Sequence, residues 1–250
     1  MNIVACIKRV PTTDAQVKVG ADGKSLDTTG LQYMTSFYDE IACEQAILCK
    51  EAGGGEVTAL TLGPSDASKE VRDCLARGAD KGLILTDDKW YSRDARTTAK
   101  TLANKVKELG ADLVFCGRVA TDRDNASVGQ MMAAHLGWSC VSDVIELSID
   151  GTTGTAKRES EQGIETYSFS LPAIITCQKG LNEPRYAGLK GIMAAKKKPI
   201  EEVAADVADS TSEVVEASLP PARPEGRIIG EGADAVGALV EALRTEAKVL

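Results

Sequence analysis

A chain of 250 residues with 29 Lys and Arg against 37 Asp and Glu carries a net charge of -8, and only 4% of it is aromatic. That length suffices for one large α/β domain with extensions, while the acidic balance, few aromatics and no basic stripe beyond residues 196–198 exclude nucleic acid as a partner. Seven cysteines without a CxxC pair suggest neither a disulfide framework nor a zinc or iron–sulfur site.

No apolar run approaches the ~20 residues of a membrane span. The opening MNIVACIKRV enters a strand at once instead of reading as a signal peptide, so a reducing, cytoplasmic setting is expected.

In chain order, residues 3–7 are a buried strand ending at Lys8 and Arg9, and such carboxyl ends are where α/β sheets bind ligands. Residues 16–27 alternate and turn at Gly20-Ala21-Asp22-Gly23, which predicts an antiparallel hairpin excursion. From Phe37 to about Ala52, Ile41, Ala42, Ala46 and Cys49 fall at helical spacing, and three glycines end the run. Residues 57–62 read as a second strand. Ser65 reads as the cap of a helix through Val71, Cys74 and Leu75 that stops at Gly78, and residues 82–85 as a third strand.

The clearest helix follows, with Ser92 as its cap, Ala95, Ala99, Leu102, Val106 and Leu109 on one stripe, and Gly110 just past its end. Residues 112–116 supply a fourth strand. Four βα steps in succession predict a doubly wound, mostly parallel, Rossmann-like α/β sheet.

The richest constellation is GRVATDRDNASVGQ, residues 117–130, directly after that fourth strand. Val128, Met131, Met132 and Leu136 recur at helical spacing, so a helix is expected to begin near Asn125 with its free N–H groups facing the crevice. A nucleotide phosphate is the natural occupant, with Asn125 and Ser127 adding donors. Asp122 and Asp124 would repel a phosphate, so they accept from ribose hydroxyls or cap the helix.

Residues 142–147, 155–158 and 164–169 read as antiparallel strands extending the sheet edge. Residues 172–176 return as a buried strand, after which LNEPRYAGLKGIMAAKKKPI runs through a polar loop into a short basic helix. Leu189 is left as an apolar tip on that arm, to anchor in a partner's pocket or to fold back on its own domain. Lys196 to Lys198 read as a solvated face.

Residues 201–225 carry six acids before Ala217 and then Pro220, Pro221 and Pro224, the composition of a linker. Residues 226–250 form a C-terminal arm whose helix, marked by Val236, Leu239, Val240 and Leu243, must lay its stripe on its own domain or on a partner.

LNEPRY followed by Leu189, GIM and AAKKKPI resembles the signature of the electron transfer flavoprotein beta subunit. The resemblance implies that a loop at about 180–193, with Glu183, Pro184, Arg185, Tyr186 and Leu189, docks flavoprotein dehydrogenases such as acyl-CoA dehydrogenases. It also implies a heterodimer in which the alpha subunit holds the FAD that carries the electrons and receives the C-terminal arm.

Residues 117–131 resemble that family's adenine-nucleotide loop, GKQAIDxDxNQTGQM. Gly117, Ala120, Asp122, Asp124, Gly129, Gln130 and Met131 match it, whereas Val119, Thr121, Arg123, Asn125 and Val128 depart. The implied contacts run from Gly117 and Arg118 through Ala126, Ser127 and Val128, joined by Cys6, Ser36, Phe37, Tyr38, Asp39 and Leu62. Ser36 to Asp39 replaces the family's usual NPFD or NPFC, and Thr13 stands near where some members place a tyrosine against the FAD ring.

Members divide into those that hold a structural AMP here and electron-bifurcating ones that hold a second FAD and use NADH. Arg123 in place of a glycine, with Gly129-Gln130 following, favours AMP. The parallel sheet alone would also permit a stand-alone adenine-nucleotide-binding regulator.

Other signals carry less. His135, the sole histidine, has no second histidine for a metal and is expected in the core or at its boundary. Residues 230–235 mimic GxGxxA with no βαβ unit to follow, and no P-loop is present. No acid–base or nucleophilic set emerges, which fits a carrier whose bound flavin supplies the redox chemistry.

Overall fold

The first strand, β1 (Asn2–Cys6), sends Ile3 and Ala5 to one face and Val4 and Cys6 to the other, and all four are buried. A strand apolar on both sides must be covered on both. The computed structural model describes residues 1–223 and 225–250, and Pro224, one of the three linker prolines, lies outside them.

A short antiparallel ribbon, β2 (Arg9–Pro11) with β3 (Tyr33–Thr35), leads into α1 (Phe37–Gly53). Strands and helices then alternate through β4 (Glu56–Gly63), α2 (Ser68–Arg77), β5 (Lys81–Thr86), α3 (Ala95–Glu108), β6 (Leu113–Gly117) and α4 (Val128–Leu136). Three antiparallel strands follow, β7 (Ser139–Asp150), β8 (Thr153–Ser160) and β9 (Gly163–Ser170). β10 (Ala173–Cys177) returns between β6 and β7, parallel to both, before α5 (Leu189–Ala195) and β11 (Ile200–Ala204).

The nine strands lie in the order β11-β5-β4-β1-β6-β10-β7-β8-β9. Strands β4 and β5 are laid to one side of β1 and β6 to the other, so the winding reverses between β1 and β6. Such a reversal parts the loops at the carboxyl ends and leaves a crevice there. Helices α1, α2 and α5 bury Ile41, Ile47, Leu75 and Ala195 against one face, and α3 and α4 bury Leu102, Val106 and Met132 against the other. Each such large aliphatic side chain stabilises the fold by about 1.5–3 kcal/mol. The doubly wound, mostly parallel sheet with its antiparallel extension is therefore the architecture the sequence predicts.

Several local expectations need correction. The cap of α3 is Asp94, whose Oδ1 accepts the Thr97 N–H at 2.7 Å, while Ser92 lies in a 3₁₀ turn and donates to the Lys89 carbonyl at 3.0 Å. A carboxylate suits the positive end of a helix better than a hydroxyl. Ser65 likewise caps nothing and instead opens a 3₁₀ turn ahead of α2.

Helix α4 starts at Val128 and not near Asn125, because Asp124 and Ala126 adopt φ of 53° and 47°, which a right-handed helix forbids. The excursion at 16–27 reduces to a single bridge between Val19 and Leu26. The acidic stretch expected to be linker from Glu201 begins as β11, which pairs with β5 along its length. Ile200 and Val203 pack inward while the glutamates face out.

Lys198 is no solvated lysine, since its Nζ donates to the Leu75 and Ala79 carbonyls at 2.9 and 2.6 Å and so caps the end of α2. His135 is exposed, 3.0 Å from Asn104 Oδ1, and not in the core. Five cysteines are buried, Cys49 is half-buried, Cys140 is exposed, and all are free thiols. Among the described residues no metal-binding cluster occurs and no helix is long and apolar enough to cross a membrane.

The chain divides into two units, Met1–Glu216 and Ala217–Leu250. Within the second, a 3₁₀ turn (Ala233–Ala235), α6 (Val236–Ala242) and a π-helical turn (Leu243–Ala247) follow in succession. Val236 and Leu239 are exposed on α6, and Arg227 pairs with Glu246.

Candidate functional site

Strands β1 and β6 pair in parallel from Ile3–Leu113 to Ala5–Phe115, so Cys6 and Cys116 come next to each other at their ends. Beyond those ends opens a crevice of about 880 Å³, part of it open to solvent. Cys6, Leu62 and Cys116 line it, together with residues of the 117–128 segment and, from the loop before α3, Trp90, Tyr91 and Arg93. The Cys116 thiol is held well above its ordinary range by hydrogen bonding with Cys6 and by burial, which leaves it inert as a nucleophile.

Asp39, in the first turn of α1, reaches across the split. One carboxylate oxygen accepts the Lys8 N–H at 2.8 Å and the other accepts the Gly117 N–H at 2.9 Å. Burial pushes this carboxyl up to about 7 against the pull of those two donors and of the Lys8 charge. A Cβ at position 117 would stand 2.3 Å from Asp39 Oδ1 and 2.8 Å from the Tyr38 backbone, so only glycine lets α1 approach β6 this closely.

The two acids of the 117–128 segment do not cap α4: Asp124 is exposed, and Asp122 is paired. Both Asp122 oxygens take Lys8 Nζ at 2.7 Å, and the Asp122 side chain is buried. Desolvation lowers the Lys8 pKa although Asp122 opposes it. The Thr121 N–H donates to Ser36 Oγ at 3.3 Å. Arg123 stacks over the Tyr91 ring at 4.8 Å and donates to the Tyr91 and Arg93 carbonyls, 3.0 Å to the latter.

Arg93 pairs with Asp87 at 2.7 Å and Arg118 with Asp143 at 3.0 Å. Among the described residues no carboxylate pairs with Arg123, so it leaves positive charge on the rim. In α4 the first turn closes from the Met131 N–H to the Ser127 carbonyl, and the N–H groups of Val128, Gly129 and Gln130 have no partner within the helix. Gly129 lets that turn lie close to β10, since a Cβ there would meet Thr176 at 2.7 Å.

Of the residues predicted for the site, Cys6, Asp39, Leu62, Gly117, Arg118, Val119, Ala120, Arg123, Asn125, Ala126, Ser127 and Val128 line the crevice. Ser36, Phe37, Tyr38, Thr121, Asp122 and Asp124 do not. Ser36, Thr121 and Asp122 tie the wall from behind, and Asp124 points to solvent. The strand-end rule reached Lys8 without naming it a site residue, and sequence reasoning did not reach Trp90, Tyr91 or Arg93, which also line the crevice. Trp90-Tyr91 is an aromatic pair in an aromatic-poor chain, in the loop at the carboxyl end of β5.

The polar loop before α5 is tied down at its base. Asn182 Nδ2 donates to the Ile41 carbonyl at 3.1 Å, and Arg185 grips Glu44 and Glu51 on α1 at 2.8 and 2.6 Å. Arg185, expected among the docking residues, thus spends its guanidinium within the chain. A Cβ at Gly191 would stand 2.2 Å from the Ala76 carbonyl, so α5 also lies tight on α2. What projects is apolar: Tyr186 is 98% exposed and Leu189 78%, with Ile192 and Met193 beside them.

The profile of the family "Electron transfer flavoprotein domain" matches residues 25–208. The chain is similar to the electron transfer flavoprotein subunit beta of Bacillus subtilis (strain 168), 36% identical over 259 residues and covering 100% of both chains. The subunit beta of Bradyrhizobium diazoefficiens is also 36% identical with full coverage of both, as is the mitochondrial subunit beta of Oryza sativa subsp. indica. With a doubly wound sheet, a crevice at its reversal and full-length similarity in step, the chain belongs to the electron transfer flavoprotein beta subunit family.

Proposed function

We propose that this chain pairs with an electron transfer flavoprotein alpha subunit, holds AMP in the β1/β6 crevice, and passes electrons from flavoprotein dehydrogenases such as acyl-CoA dehydrogenases through FAD held mainly by alpha. The observation that carries the reading is the crevice itself, lined by Val128 and Gly129 of the first turn of α4, whose N–H groups have no partner within the helix. The residues fit an adenylate. Arg123 and the α4 turn suit a phosphate, and the Trp90 side chain offers flat apolar surface for a base.

The flavin supplies the redox chemistry when bound, and this chain's residues bind, orient and present. Full-length similarity to beta subunits favours a paired over a solitary protein. The C-terminal arm, with Val236 and Leu239 exposed on α6, suits docking on the partner subunit, because a helix this short gains stability from packing. Leu189, Tyr186, Glu183 and Pro184 present the dehydrogenase-docking finger, and Arg185 sets its base.

Nucleotides released by heat from the purified two-subunit complex and resolved by chromatography test this reading. One FAD and one AMP per pair are expected. Two FAD and no AMP would replace the structural nucleotide with the second flavin of a bifurcating, NADH-using protein, and no adenylate at all would overturn the site.

A further inference from the structure

The split between β1 and β6 is bridged by the Lys8–Asp122 pair and by a side chain that belongs to neither strand. Asp39 sits on α1 yet spends one carboxylate oxygen on the backbone N–H just past β1 and the other on the last residue of β6. Lys8 and Gly117, the two residues it holds, both line the crevice. With both oxygens engaged and only 7% of the residue exposed, Asp39 is poorly placed to accept a hydrogen bond from a ligand. We propose that Asp39 is a positioning residue that staples the two strand ends and thereby fixes the width of the crevice for an adenine nucleotide, an inference that rests on the reading of that crevice given above.

The staple has a chemical requirement. A carboxylate accepts fully on both oxygens, whereas a carboxylic acid accepts poorly on its hydroxyl oxygen and an amide presents only a donor on its nitrogen side to one of the two N–H groups. Protonation therefore weakens one tie and loosens the junction, while the Lys8–Asp122 pair still joins its two sides. The charged groups facing Asp39 are Lys8 from the end of β1 and Asp122 from the segment after β6, and these two neutralise each other at 2.7 Å. The other titratable neighbours, Cys116 on β6 and Cys177 on β10, have thiols held well above their ordinary range and stay protonated near neutrality. Asp39 is thus the group at this junction whose proton changes hands close to pH 7.

The test measures retention of the bound nucleotide by the full-length chain in its two-subunit complex, as exchange against labelled AMP from pH 6 to pH 8. Wild-type exchange is expected to quicken roughly tenfold as pH falls through about 7, the effect of losing one charge-assisted hydrogen bond. Asp39→Asn keeps the shape but not the second acceptor, so it should exchange fast at every pH and lose the part of the slope that centres near pH 7. AMP's own phosphate, with a second pKa of about 6, titrates in the same window and remains in the variant, so whatever slope it adds is common to both proteins. A slope in Asp39→Asn as steep as in wild type, or exchange in the variant as slow as wild type at pH 8, overturns the staple. A complex that releases no adenylate at any pH overturns the crevice reading and the staple together, so the two failures are distinguishable. The wild-type profile alone needs no variant to fold, and a flat profile across this range also overturns the proposal.

Discussion

At the residue scale, Asp39 sets function against stability. Its carboxyl is raised by burial to about 7 from an ordinary value near 4, so the folded state binds this proton more tightly than the unfolded chain. A raised acid contributes stability at low pH that is lost as pH climbs from about 4 to about 7, on the order of a few kcal/mol. Wild-type stability should therefore fall between pH 4 and pH 8, and Asp39→Asn, which has no proton to lose there, should lack that fall, as read by urea denaturation at both values. The family resemblance implied Asp39 at the site, but nothing in the one-dimensional pattern says that both its oxygens turn to the backbone. Arg123 was legible in the same partial way. The segment around it marked the site, yet its work of holding the Tyr91 and Arg93 carbonyls depends on a loop 30 residues earlier in the chain.

At the scale of elements, α3 is governed by Asp94. One oxygen caps the helix through Thr97, and the other takes the Thr211 N–H and hydroxyl and the Ser212 N–H, at 2.5, 2.9 and 3.1 Å. Desolvation pushes this carboxyl up, but the donors from Thr97 and Thr211 outweigh it and hold it well below the usual carboxylate range. Its contribution is therefore present above about pH 4 and lost as pH falls below that. Asp94→Ala should cost about 1–2 kcal/mol at pH 7 in urea denaturation and raise hydrogen exchange at residues 211 and 212 first. Long periodic helices and apolar strands were readable because one stripe or one alternation decides them. β11 was hidden because its glutamates dominate the composition, and two inward residues suffice on an edge strand. The start of α4 was displaced because left-handed Asp124 and Ala126 leave no periodic trace.

At the scale of the molecule, the crevice and the finger are fixed from opposite sides of α1. Asp39 in its first turn holds the split, and Glu44 and Glu51 further along hold Arg185 at the base of the docking loop. Leu189→Ala should slow electron delivery from a partner dehydrogenase roughly tenfold or more while leaving nucleotide and flavin content unchanged, as measured by stopped-flow reduction and by cofactor analysis. The fold class and the family were legible in the sequence because a βα rhythm and two long motifs are local features. The strand order, with β10 inserted between β6 and β7, was not, because it joins residues far apart in the chain. That order also leaves the two outer strands unequally guarded. On β11 the exposed Glu201 and Glu202 repel a second copy, whereas β9 presents Ile164 and Tyr167 to solvent with Glu165 as the only acid on the strand. Colloidal instability in concentrated preparations of the separated subunit will begin at that unguarded flank.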